Sequence, residues 1–265
     1  SFQVELYVFQ QEAGGARIHQ PYYHFQPFGV TLNPAASTGN GVTVTTSQAY
    51  FDTTGSQSGG NYPNSKHVGV SLRYHDSELF ITSVQSTTQA TVNIVDTLRV
   101  ELAADALRTV DGSTDVEITQ INHGMSVNNS ITIEDAGSVG GIAANQINGS
   151  RTINRIIDEN RYKITAGAAA NASEDGGGFP KIVTHAPSTE WSEQSYSAVR
   201  GFPAAVGFHE NRLWFGGTLS QPDFVWASKT ALYYNFDLGT SAANDSIELV
   251  ASIGEIGTIR HFVSN

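Results

Sequence analysis

The sequence predicts a mainly β protein, with two small β-barrel or sandwich modules followed by part of a β-propeller-like domain. Three observations carry that expectation. Apolar and polar residues alternate in short runs such as "GVTVTT" and "ATVNIV", which is the period of a half-buried strand. Turn-forming clusters separate those runs, and 26 of the 265 residues are glycine. Charged residues make up only 15%, while Ser, Thr, Asn and Gln are abundant, a composition that suits a turn-rich β protein.

Taken in order, residues 1–34 open with "VELYVF", a strand, and continue as an extended arm in which Pro21, Pro27 and Pro34 break any regular element. Residues 35–110 form the first β module. Here "HVGVSLRY" sets Val68, Val70, Leu72 and Tyr74 on one face, and "ATVNIV" does the same for Val92 and Ile94. "ELFITSVQSTTQATVNIV" reads as two strands joined by a Ser-Thr-Thr turn, and "LRVELAADALRTV" as a strand running into a short helix. Residues 111–172 are the second small β-barrel module. "NNSITIEDAG" places Ile131 and Ile133 together, and "RTINRIIDENRYKIT" is a hairpin around Asp158-Glu159-Asn160, much like the hairpin of the first module. Residues 173–187 form a Gly-rich linker, since "NASEDGGGFP" combines three glycines with Phe-Pro.

Residues 188–265 form an aromatic-rich, propeller-like blade region. All three tryptophans lie there, and nine aromatics fall within Phe202–Phe236. "AAVGFHENRLWFGG" reads as two strands, Ala204–His209 and Arg212–Gly217, around Glu210-Asn211. "DFVWAS" supplies a third strand and "ALYYNFD" a fourth, giving a meander of the kind that makes one propeller blade. On this reading the polar "HENR" is a solvated turn without a catalytic role.

Composition excludes several function classes. Without cysteine there is no disulfide framework, thiolate nucleophile or Cys-ligated zinc. Fourteen basic against 25 acidic side chains leave a net charge of −11, which argues against a phosphate-gripping surface. The acidic pairs Asp76/Glu78, Glu134/Asp135, Asp158/Glu159 and Glu174/Asp175 are sequence neighbours at turns and linkers. A glycosidase needs carboxylates that face each other from separate strands, so these read as solvated loops. The eight histidines are scattered, and "HENRL" lacks the second His of a zinc helix. No catalytic, cofactor-binding or metal-ligating residue is therefore assigned, and no cofactor is expected.

The stretch Ser188–Val250 resembles the core of the tail tubular protein B-like, or tail nozzle, family of short-tailed phages. The matching pieces are Trp191, Glu193, Tyr196 and Ser197; Arg200-Gly201-Phe202-Pro203; and Phe208-His209 with Arg212-Leu213. Gly216-Gly217, Gln221-Pro222-Asp223, Val225-Trp226 with Ser228, and Asn235-Phe236-Asp237 with Gly239 follow in the same order, before the final "IGTIRHFVSN". Upstream, "NHGMSVNNSITIEDAG" resembles the small FCCH-like β-barrel insertion of ubiquitin-activating enzymes. The resemblance implies a structural virion protein of the phage tail. It would be a homo-oligomer, commonly a hexameric ring, forming the conduit for genome ejection. Its partners would be a tail adaptor or gatekeeper ring, tail fibre or spike proteins, and genomic DNA that passes without sequence-specific binding. The family brings no catalytic residues, and its members continue beyond the point corresponding to Asn265, so a longer polypeptide is expected. The rival expectation is a tail spike or adhesin whose β modules bind glycans.

Overall fold

A computed structural model describes residues 19–239, 242–251 and 257–263. The strand expected at 4–9, and part of the final "IGTIRHFVSN", lie outside the described residues. The chain is mainly β and divides into two compact units. One is His24–Ser192; the other joins the described residues up to Tyr23 to those from Glu193 onward.

The elements run in order as follows. β1 (Tyr22–Tyr23), β2 (Leu32–Pro34), β3 (Val42–Thr46), β4 (Ser71–Tyr74), β5 (Ser77–Ser86) and β6 (Gln89–Ile94) come first. β7 (Arg99–Glu101), β8 (Leu107–Arg108), β9 (Asp115–Thr119), β10 (Ser130–Glu134) and the single-turn α1 (Ala144–Ile147) follow. Then come β11 (Gly149–Asp158), β12 (Arg161–Thr165), β13 (Asp175–Gly176), β14 (Lys181–Val183) and β15 (Trp191–Gln194). The last four are β16 (Ala205–His209), β17 (Arg212–Gly216), β18 (Phe224–Ala227) and β19 (Ile247–Val250).

Two sheets build the larger unit. In the first, β4, β5, β6, β3 and β2 lie side by side, extended beyond β4 by the Trp191 end of β15. The alternation in β3 and β6 buries Val44, Ala90 and Val92 completely, and the register sets Val92 beside Ile81 and Leu79 beside Leu72, all equally buried core residues. Trp191 closes that core. Its indole N–H donates to the Val30 carbonyl at 2.9 Å, and the Tyr50 ring meets it edge-on at 4.7 Å. A buried indole thus keeps its one polar atom satisfied.

The second sheet has the order β13-β8-β9-β12-β11-β10-β14-β7. Val116, Ile118, Ile131, Ile133, Ile153, Tyr162, Ile164 and Ile182 form its core. Burying each such side chain contributes roughly 1.5–3 kcal/mol before the entropic opposition. Each sheet has a long hairpin, β5–β6 in one and β11–β12 in the other, and the register shifts twice in both. Such bulges bend the ribbon and sharpen its twist.

Two local expectations are corrected here. "LRVELAADALRTV" contains no helix but β7, a turn with Asp105 at φ 58°, and β8. Its backbone bonds outward, Leu102 N–H to Pro180 O and Asp105 N–H to Gly178 O, so tertiary pairing overrides helix propensity. The Gly-rich stretch supplies that partner, and β13 within it pairs with β8. Gly177, at φ 97°, presses so close to Leu107 that a Cβ there would sit 2.6 Å from its Cδ1.

In the smaller unit, β16, β17, β18 and β19 form an antiparallel meander, and β1 pairs with the Gln194 end of β15. The β16–β17 turn has Glu210 at φ 48° and Asn211 at φ 57°, the two left-handed residues of a tight hairpin. The second correction concerns the fourth strand, which is β19 and not "ALYYNFD". Ala231 sits at φ 60°, and the bonds Leu232 N–H to Lys229 O and Asn235 N–H to Leu232 O wind this segment into successive turns. Phe236 still reaches the core, stacked on Phe215 at 5.5 Å. Tyr196 meets Phe215 and Trp226 edge-on at 5.7 and 5.1 Å.

Candidate functional site

The hairpin tip separates into two kinds of residue. His209, Glu210 and Asn211 are exposed, as expected of a solvated turn. Arg212 is not: it is buried and donates three hydrogen bonds to carbonyls. Nη1 reaches Ser228 O at 2.6 Å and Asp245 O at 2.5 Å, and Nη2 reaches Ala243 O at 2.8 Å. A guanidinium bound to three backbone oxygens is a tie between segments, and that role was illegible in the "HENR" pattern.

The other residues of the blade signature are engaged in the same way. Glu193 is fully buried and takes a two-pronged ion pair from Arg200, Nε to Oε1 at 2.9 Å and Nη2 to Oε2 at 2.6 Å. Ser197 Oγ accepts the backbone N–H groups of Val199 and Arg200. Gly201 stands at φ 85°, with Leu219 N only 2.8 Å from where a Cβ would lie. The Trp226 indole donates to Glu248 Oε2 at 3.0 Å. Burial pushes the Glu248 carboxyl above the ordinary range, and the Trp226 hydrogen bond partly offsets it.

The acidic pairs are distributed over separate partners. Glu78 accepts from Ser71 Oγ, Glu134 from Arg99 Nε at 2.8 Å, and Asp135 from Lys181 Nζ at 2.9 Å. Asp158 is held by Arg161, Glu174 accepts the Gly140 N–H, and Asp175 lies 3.9 Å from Arg108. Among the described residues no group of three or more His, Asp or Glu side chains could hold a metal.

What sequence reasoning missed is a cleft of about 910 Å³ within the larger unit. It is lined by the arm around Phe28, the Asn122–Met125 loop, the end of β11 with the β11–β12 turn, and the segment Pro187, Thr189 and Glu190. His123, buried within the Asn122–Met125 loop, is held in one tautomer. Its Nδ1 accepts the Met125 N–H at 3.0 Å, so Nε2–H donates to Asp158 O at 2.9 Å. The volume falls within the ordinary range for small-ligand sites, roughly 300–1,000 Å³. A signal was present, since Pro27-Phe28-Gly29 puts a large aromatic on a turn, but the arm reads as a connector.

No family model matches the chain, and no curated protein matches it. Among solved structures it is similar to the phage phi92 endosialidase, with a TM-score of 0.29 and 12% identity, over 79% of this chain and 34% of that one. The chain thus spans well under two thirds of that structure's length, and a likeness this loose decides nothing about activity. Fold and geometry define a mainly β protein whose blade signature is committed to internal ties.

Proposed function

We propose that this chain is an architectural subunit of a phage tail, assembling with copies of itself into the ring of the tail nozzle. The observation that supports this reading is an apolar outer strand on the smaller unit. Among the described strands β16 is an outermost one of the meander, and Val206 and Phe208, two residues apart on one face, are 48% and 67% exposed. Large apolar side chains grouped on an edge strand mark contact surfaces. The buried ties of Glu193, Arg200 and Arg212 would hold that strand rigid for docking. In the ring, the −11 charge would let genomic DNA slide past without the phosphate contacts that grip it. Adaptor and fibre proteins would meet its two outer faces.

Projection images of the purified protein test the assembly. A six-fold ring is expected, broken to monomers by Val206→Glu with Phe208→Glu; a wild-type chain that stays monomeric at about 10 µM overturns the reading, since stable subunit contacts bind tighter than that. A second reading, a tail spike or adhesin, is favoured by the open cleft of the larger unit and would give three-fold particles.

A further inference from the structure

We propose that the cleft between the Phe28 arm and the Asn122–Met125 loop binds a neutral oligosaccharide. This deepens the adhesin reading by giving it a site and a ligand class.

The first support is Phe28. Its ring is fully exposed to solvent, at the tip of a turn closed by Val30 N–H to Pro27 O at 3.2 Å. Gly29, at φ 79° with open space around it, completes that turn. Among the described aromatics Phe28 is the most exposed, and it lines the cavity. An exposed ring offers a flat apolar platform for the C–H face of a pyranose.

The second support is a fixed polar wall. The Asn122 N–H donates to Asn160 Oδ1 at 2.9 Å, and the His123 N–H to Glu159 O at 3.1 Å. Gly124 packs on Pro187 so tightly that a Cβ would lie 2.2 Å from the Pro187 oxygen. Loop, turn and connecting chain are thereby locked together, and a site formed before binding spares the ligand the cost of ordering it. Asn122, Glu159 and Glu190 bring amide and carboxylate groups to the cleft, and Met125 and Ile156 bring apolar surface. A carboxylate accepts two hydroxyls and an amide both donates and accepts, which matches vicinal hydroxyl pairs.

The third support selects the charge of the ligand. Among the described residues no Lys or Arg lines the cleft, while Glu159 and Glu190 do; Asp158, also in the lining, is already paired with Arg161. Phosphate, sulfate or carboxylate on a sugar would meet like charge without a guanidinium to receive it. A cationic peptide shares the electrostatics and can set an ammonium over the Phe28 ring, but it leaves the paired donor and acceptor of the Asn122 amide unused, so it is the comparator in the test.

The full chain is applied to an array of neutral, sialylated and sulfated oligosaccharides with a lysine-rich peptide as comparator, and hits are titrated by calorimetry. At least one neutral oligosaccharide is expected to bind. Phe28→Ala should weaken it about tenfold, the scale of one lost ring contact. Glu159→Gln should weaken it at least about threefold, and Phe179→Ala, an exposed ring away from the cleft, by less than about twofold. All three residues are at the surface, so unchanged thermal unfolding confirms that the variants are folded. No neutral hit, preference for anionic glycans or for the peptide, or a hit indifferent to both cleft variants overturns the proposal. Particle symmetry separates the two questions: a six-fold ring that binds keeps the site and removes the spike, and a trimer that does not bind does the reverse.

Discussion

Glu193 and Arg200 form a two-pronged ion pair in which the carboxylate has no solvent exposure and the guanidinium side chain retains only 17%. Removing one member of a buried pair leaves a charge without compensation, at about 3–5 kcal/mol. Arg200→Met is therefore expected to lower the urea midpoint of the chain sharply. The double variant Glu193→Met with Arg200→Met should lose less than the sum of the single losses, because neither charge is stranded. Equal and additive losses in urea titrations would show that the pair is not coupled.

Arg212 makes a separate prediction from its three carbonyl partners. Lysine offers a single ammonium on a different stem and cannot span Ser228, Asp245 and Ala243 at once. Arg212→Lys should cost roughly 2–3 kcal/mol and Arg212→Ala more, since each buried carbonyl left unpaired costs about 1–3 kcal/mol. Amide hydrogen exchange checks where the loss falls. Protection should drop first just after β18 and in the segment that leads into β19, where Ser228, Ala243 and Asp245 lie.

The positions of strands were more legible in the sequence than their partners. The alternation in "GVTVTT", "ATVNIV" and "NNSITIEDAG" places β3, β6 and β10, because half-buried strands advertise their period. "ALYYNFD" misleads because its aromatics are apolar and dense while its backbone is set by a left-handed Ala231 that nothing in the sequence announces. "LRVELAADALRTV" misleads because its helix-forming residues are overruled by backbone partners more than 70 residues away, at Gly178 and Pro180. The cleft was illegible for a related reason. Phe28, Asn122, Glu159 and Glu190 converge only through the fold, and none belongs to a motif with its own spacing.

Two glycines with similar backbone angles separate strain from collision. Gly41 has φ 68° and open space where a Cβ would go, whereas Gly217 has φ 64° and a Cβ there would lie 2.6 Å from Ile259 O and 3.0 Å from Pro222 O. Gly41→Ala pays only the left-handed conformation, about 1 kcal/mol. Gly217→Ala must also displace backbone, and overpacking of that kind adds about 1–3 kcal/mol. Chemical denaturation of the two variants should differ accordingly. Equal losses would mean that the segment around Ile259 yields freely.

Stability should depend on pH through two groups that act in opposite directions. His75 lies half-buried, with Nε2 3.1 Å from Ser188 Oγ, and burial lowers its proton affinity more than the nearby Glu190 and Asp76 raise it. Below the ordinary histidine value of 6.5 the unfolded chain therefore binds a proton that the folded chain resists, and stability falls as pH drops from there through the lower folded value. Glu248 behaves in the contrary sense. Burial raises its folded value above 4.5, so its contribution is complete below 4.5 and is lost as pH rises through the folded value. Glu248→Gln keeps an acceptor for the Trp226 indole and removes the buried charge, and it should be neutral or stabilising by less than about 1 kcal/mol at pH 7. Unfolding midpoints of wild type, His75→Gln and Glu248→Gln between pH 4 and 8 provide the check. The first variant should flatten the acid limb and the second should lift the neutral limb, and a wild-type profile that both variants reproduce would assign the pH dependence to other groups.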